Sequence, residues 1–223
     1  MKPIAEALLY GILDLGYVDP TDLERVTESL LEGGVDVLQL RAKKAGEEEI
    51  ESYANRIVAL TQAAGVSLIL NDYPQLVPSV GAQGAHVGQD DFSVEDARWR
   101  AGRALAGEVE LPLIGKSTHS FQQAAAAMKA GADYIGFGPL YATPTKPGRL
   151  AIGLEDIARV EAMATRPVFC IGGIKLENLE AVLDAGATRV VIVSQMLEAV
   201  SIARYAAQVR AVLEARRHRA AGV

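Results

Sequence analysis

Apolar runs of strand length recur along this chain, and they lead into polar or glycine-rich stretches that a folding core does not need. These are Gln39-Leu40-Arg41-Ala42-Lys43, Asn71-Asp72, Gln89-Asp90-Asp91, Thr143-Pro144-Thr145-Lys146 and Gly172-Gly173. Polar groups gathered at the carboxyl ends of separate strands predict a parallel barrel whose active face is that end. One phrase also returns four times, with small residues at a helix end running straight into a strand. Its copies are Gly33-Gly34-Val35-Asp36-Val37-Leu38, Gly81-Ala82-Gln83-Gly84-Ala85-His86-Val87, Ala130-Gly131-Ala132-Asp133-Tyr134-Ile135 and Ala185-Gly186-Ala187-Thr188-Arg189-Val190. They lie about fifty residues apart, room for two strand-helix units each, so the repeat predicts four quarters and eight units. These phrases mark the even strands, and the odd strands fall at 8–15, 67–71, 113–117 and 167–171. The expected fold class is α/β: a closed, eight-stranded parallel barrel with outer helices.

Helices alternate with the strands and carry start signals. Asp19 precedes Pro20 as a cap before a first turn, Ser93 is followed by Asp96, and Ser120 with Gln123 has the spacing of a capping box. Over residues 50–60 the apolar stripe is Ile50, Ala54, Ile57, Val58 and the later Thr61, while Glu47, Glu48, Glu49, Glu51 and Arg56 face out. The last helix is expected over about 202–213, with Arg216-Arg217-His218-Arg219 as a frayed basic tail spanning about 214–223.

The length, 223 residues, suits one barrel domain over 1–223. A formal charge of -6 argues against a long-range field for nucleic acid or anionic lipid, so any anion needs a local cluster of cations. Cys170 sits in the apolar run Pro167-Val168-Phe169-Cys170-Ile171 as an expected buried, inert thiol. No apolar stretch approaches a membrane span and no cleavable leader is visible, so the expectation is a soluble, cytoplasmic protein without membrane or nucleic-acid partners. A homo-oligomer is left open.

In Val37-Leu38-Gln39-Leu40-Arg41, alternation sends Leu38 and Leu40 toward the helices and Gln39 and Arg41 into the barrel. Arg41 taken alone could be half of a structural ion pair. With Lys43 it offers a planar fork and a compact charge, a pair suited to the oxygens of a diphosphate. Asp72 and one of Asp90 and Asp91 are oxygen donors from different strand ends, an arrangement that suits magnesium completed by water and phosphate. The alternatives are a helix cap at Asp72 and a turn at Asp90 or Asp91. His86 could face either way and stays outside the catalytic set. The long loop 136–148 carries Thr143, Thr145 and Lys146 and reads as a lid. Gly172-Gly173 and Val191-Ile192-Val193-Ser194 fall where barrels build phosphate cradles.

As a set, Gln39-Leu40-Arg41-Ala42-Lys43, Leu70-Asn71-Asp72, Gly84-Ala85-His86-Val87-Gly88-Gln89-Asp90-Asp91, Gly115-Lys116-Ser117-Thr118-His119, Asp133-Tyr134-Ile135-Gly136-Phe137-Gly138-Pro139, Thr143-Pro144-Thr145-Lys146 and Ile171-Gly172-Gly173-Ile174 resemble the thiamine phosphate synthase (thiamine-phosphate pyrophosphorylase) family. The resemblance implies a TIM barrel joining 4-amino-5-hydroxymethyl-2-methylpyrimidine diphosphate to 4-methyl-5-(2-hydroxyethyl)thiazole phosphate, releasing diphosphate with Mg²⁺. It also implies the roles. Gln39 contacts the pyrimidine, and Arg41, Lys43, Asn71 and Lys146 hold the diphosphate. Asp72 and Asp91 bind the metal, which favours Asp91 over Asp90, and Ser117 positions the reacting groups. Thr143, Thr145, Gly173, Val193 and Ser194 surround the thiazole phosphate. Arg41, Lys43, Ser117 and Lys146 form the expected catalytic set. Two places depart from the family's usual pattern: Tyr73-Pro74-Gln75-Leu76 after Asn71-Asp72, and Lys116 where a small apolar residue is commoner.

Two other readings compete. A thiazole tautomerase-like isomerase on the same fold needs no metal and calls for a base such as His119. A noncatalytic phosphate-ligand barrel uses Gly172-Gly173 and Ser194 but leaves the metal pair idle.

Overall fold

A computed structural model of the chain describes residues 1–102, 111–143, 148 and 150–220. Eight parallel strands close into a barrel in chain order: β1 (Leu9–Asp14), β2 (Val37–Arg41), β3 (Ser67–Asn71), β4 (Gly84–Val87), β5 (Leu113–Thr118), β6 (Tyr134–Phe137), β7 (Val168–Ile171) and β8 (Val190–Ile192). The connecting helices are α1 (Leu23–Glu32), α2 (Glu47–Ala63), α3 (Val77–Val80), α4 (Val94–Gly102), α5 (Phe121–Lys129), α6 (Ile157–Met163), α7 (Leu176–Asp184), α8 (Ser194–Leu197) and α9 (Ile202–Ala220). The expected α/β TIM barrel is therefore the fold.

Strand alternation sorts the side chains into two cores. Leu38, Leu40, Ala85, Val87, Ile114 and Ile135 point outward and bury against the helices. Tyr10, Ile12, Val37, Ile69, Tyr134, Phe169 and Val191 fill the barrel interior. The interior is thus packed rather than open, and only its carboxyl end leaves room for chemistry.

The recurring phrase has a structural use at the opposite end. In three of its four copies, the residue just before or at the start of the even strand accepts an N–H from the start of the preceding odd strand. Asp36 accepts from Leu8 and Leu9 (2.8 and 3.1 Å), Gln83 from Leu68 (2.8 Å) and Asp133 from Ile114 (2.8 Å). The side chain closes the ladder where the strand begins and its first N–H groups have no strand partner. In the fourth copy Thr188 instead donates to Glu161, at 3.1 Å from its N–H and 3.0 Å from its hydroxyl.

Asp19 caps the expected first turn, accepting from the Thr21 N–H; that turn is 3₁₀ over Pro20–Asp22 and leads directly into α1 at Leu23. Two local expectations need correction. Ser120 accepts the Gln123 N–H at 3.2 Å, but the Gln123 amide takes the His119 N–H, so the box closes one residue early. The basic residues 216–219 continue α9 rather than fray, because Arg216 reaches Asp184 (2.7 Å) at the end of α7. Among the described residues no helix is long and apolar enough to cross a membrane.

Candidate active site

The cavity at the carboxyl end of the strands has an aromatic floor. Tyr10 and Phe169 meet edge to face with ring centres 5.3 Å apart, and Tyr134 and Phe169 do the same at 5.7 Å. A polar chain crosses this floor. Gln39 donates to the Tyr10 hydroxyl (2.8 Å), the two tyrosine hydroxyls bond each other (3.0 Å), and Tyr134 meets His86 Nδ1 (3.3 Å). His86 Nε2 in turn bonds the Ser117 hydroxyl at 2.9 Å. The space for this chain comes from Gly115, where a Cβ would stand 2.1 Å from Tyr134 Cζ and 2.5 Å from His86 Nδ1. Burial pushes both phenols well above the ordinary tyrosine range; bonds from Tyr134 and Gln39 only partly offset this at Tyr10, and Tyr10 and Asp133 add to it at Tyr134. Both hydroxyls stay neutral at any working pH.

His86 and the two tyrosines were absent from the expected site. Strand parity could have placed His86: Ala85 and Val87 bury against the helices, so His86 must face inward by the same alternation that placed Gln39. Tyr10 and Tyr134 read as core residues in a sequence, and their hydroxyls become site groups only because β1 and β6 face each other across the barrel.

Of the expected site residues, Gln39, Arg41, Asn71, Ser117, Thr143, Gly173, Val193 and Ser194 all line this one cavity, together with His86 and His119. Arg41 also pairs with Asp14, its register partner on β1, which is 1% exposed. Arg41 thus has a buried counter-charge in Asp14 and is also one of the residues that line the cavity. Gly172 and Gly173 are both left-handed (φ 101° and 65°), which lets the chain turn sharply after β7. The root of the loop after β6 is pinned there, with the Leu140 N–H on Ile171 O (2.9 Å) and the Tyr141 N–H on Gly172 O (3.0 Å). Thr145 and Lys146 lie outside the described residues.

Lys43, Asp72 and Asp91 stand apart from the cavity lining, on the loops that follow β2, β3 and β4. Lys43 pairs with the Asp72 carboxylate, which also accepts from the Asn71 amide at 2.7 Å. Asp72 holds a left-handed backbone (φ 64°), uncommon for a residue with a side chain and tolerated best by Asp and Asn. Its N–H is fixed to His86 O at 2.9 Å, so the ends of β3 and β4 stay together. Asp91 turns back to accept the Gly88 N–H at 2.8 Å. Among the described residues no group of three or more His, Cys, Asp and Glu could hold a metal ion. Two carboxylates alone do not make a zinc cage; they fit a hard cation that fills its shell with water and phosphate oxygens. Cys170 is buried and its thiol raised well above the usual range by that burial, so it is no nucleophile.

The TMP-TENI family profile, described as thiamine monophosphate synthase, matches residues 9–196. A thiamine-phosphate synthase of Thermus thermophilus is 44% identical over 174 residues, 78% of this chain and 80% of that protein. Another, from Chloroflexus aurantiacus, is 35% identical over 218 residues, 97% of each. A solved thiamine phosphate pyrophosphorylase from Pyrococcus furiosus superposes with a TM-score of 0.83 at 26% identity, covering 96% of this chain and 99% of that one. The profile spans all eight strands and the relatives keep their likeness along most of the barrel, so the chain belongs to the thiamine monophosphate synthase family of transferases.

Proposed function

We propose that this enzyme joins hydroxymethylpyrimidine diphosphate to hydroxyethylthiazole phosphate, forming thiamine phosphate and diphosphate in the cytoplasm. The observation that carries the reading is the convergence of Gln39, Arg41, Asn71, Ser117, Thr143, Gly173 and Ser194 on a single cavity above a packed aromatic floor. The reaction breaks the carbon–oxygen bond to diphosphate, leaves a resonance-stabilised pyrimidine cation, and forms a bond from the thiazole nitrogen to that carbon. It needs charge stabilisation and alignment more than a nucleophile.

The residues divide that work. Gln39, its amide held by Tyr10, faces the pyrimidine. Arg41 and Asn71 meet the departing diphosphate from the cavity wall, and Lys43 and Lys146 add charge. Ser117, held by His86, orients the reacting centre. Thr143, Thr145, Gly173, Val193 and Ser194 receive the thiazole phosphate. Asp72 and Asp91 would hold Mg²⁺, which when bound supplies positive charge to the leaving diphosphate. Engaging diphosphate would draw Lys43 from its pair with Asp72 and release that carboxylate for the metal. The neutral phenols of Tyr10 and Tyr134 offer no anionic oxygen to capture the cation, and the aromatic packing around them keeps water away.

The test is a phosphate-release assay coupled to a diphosphatase. Release should require both substrates and stop with EDTA. Isomerisation of a thiazole carboxylate phosphate without metal would favour the tautomerase reading, with His119 at the cavity as base, and binding without turnover would favour a carrier.

A further inference from the structure

Lys116 sits on β5 next to Ser117, yet its side chain leaves the cavity and runs to the loop after β4. It is 8% exposed, and its ammonium donates to Gly88 O at 2.6 Å and to Phe92 O at 2.8 Å. Those two carbonyls bracket Gln89, Asp90 and Asp91. The bracket continues inward, because the Gly88 N–H is the donor that fixes the Asp91 carboxylate at 2.8 Å. It continues outward as well, since the Arg100 guanidinium covers the Phe92 ring at 4.5 Å. Gln89 completes the anchoring by donating to Ser117 O, which ties the loop to the strand that carries Lys116.

We propose that Lys116 is a positioning residue for the metal site: it clamps segment 88–92 in the form that presents Asp91 to Mg²⁺. The inference rests on the metal reading of Asp72 and Asp91 given above. A buried ammonium is an expensive staple unless its charge is used. Burial lowers the pKa of Lys116, and the charges of Asp91 and Asp90 act in the opposite direction. The ammonium therefore lies within electrostatic reach of the carboxylates whose loop it holds.

Two effects of this charge oppose each other. A cation near Asp91 repels Mg²⁺, and the high dielectric of the water around the exposed Asp91 carboxylate weakens that repulsion. Loss of the clamp frees the backbone of the whole segment, and its order must then be restored by the metal itself. The second effect is the larger, so removing Lys116 should weaken metal binding although it removes a positive charge. This sign separates the clamp from a simple charge effect.

The experiment measures Mn²⁺ binding by electron paramagnetic resonance in the presence of inorganic diphosphate, for the unsubstituted protein, Lys116→Met and Asp91→Asn, with melting temperatures alongside. Lys116→Met should bind Mn²⁺ about tenfold more weakly, equivalent to about 1.4 kcal/mol. The Mg²⁺ concentration for half-maximal turnover should rise in parallel, while kcat at saturating metal falls no more than about threefold. Equal or tighter Mn²⁺ binding by Lys116→Met, even with a lowered melting temperature, overturns the clamp and leaves the metal reading standing. Failure of the unsubstituted protein to bind, or unchanged binding in Asp91→Asn, overturns the metal reading and the clamp together. If Lys116→Met does not fold, Lys116→Ala, which likewise lacks a donor for the Gly88 and Phe92 carbonyls, is read by the same criteria.

Discussion

Asp72 shows how a single residue can satisfy two demands. Its left-handed backbone turns the chain sharply after β3, and its carboxylate faces Lys43 and Asn71. Asn tolerates that conformation as well as Asp does, so Asp72→Asn preserves the turn and removes only the charge. Lys43 is half exposed, and an ion pair of that kind is worth at most about 1 kcal/mol. Asp72→Asn should therefore lower turnover on the order of 10–100-fold or more while the urea unfolding midpoint barely moves. The same split is expected for Asp91→Asn, and a collapse in stability with Mg²⁺ dependence unchanged would return these carboxylates to a structural role. Arg41→Lys should also slow turnover, since a point charge replaces a fork that must serve both Asp14 and the cavity; steady-state kinetics at saturating substrates will show it.

At the scale of elements, the amino-terminal ends of the strands carry the seam. Asp36 is 4% exposed and joins β1, β2 and α9, because it accepts from Leu8, Leu9, Lys2 and Arg210 at one carboxylate. Burial alone would raise its pKa; the hydrogen bonds from Lys2, the Leu8 N–H, Arg210 and the Leu9 N–H outweigh that and hold it below the ordinary 3.8. A depressed carboxyl pKa contributes stability that is complete above the unfolded value and disappears as pH falls through the folded one. Asp36→Asn should thus cost about 1–3 kcal/mol at neutral pH. Its deficit relative to the unsubstituted protein should shrink only below pH 3.8, as chemical unfolding at stepped pH will record. By contrast, Arg216 and Asp184 form an exposed pair between α9 and α7, and Arg216→Ala should change stability by less than about 1 kcal/mol.

Across the whole molecule, stability and chemistry occupy opposite ends of the barrel, with the seam of Asp36, Gln83 and Asp133 below and the cavity above. Ligands that join loops after different strands should stabilise the whole. Mg²⁺ with diphosphate at about 100 times the dissociation constant adds about 2.7 kcal/mol, which for a domain of this size raises Tm by roughly 5–10 °C. EDTA should cancel the rise, and Tm should not respond to Mg²⁺ or EDTA if Asp72 and Asp91 play no part in binding. The closed barrel and its inward Gln39 and Arg41 were legible in the chain itself, because a fourfold phrase and alternation with period two are local rules that each strand obeys alone. Local rules also showed which strand ends are polar. They could not show the partners of those ends. Arg41 with Asp14, Lys43 with Asp72, Lys116 with the loop after β4, and the chain from Gln39 through the tyrosines and His86 to Ser117 join residues far apart in sequence. Such pairings exist only once the barrel closes and sets the register of one strand against the next. Alternation along each strand decided which side chains enter the cavity, and closure decided which of them touch.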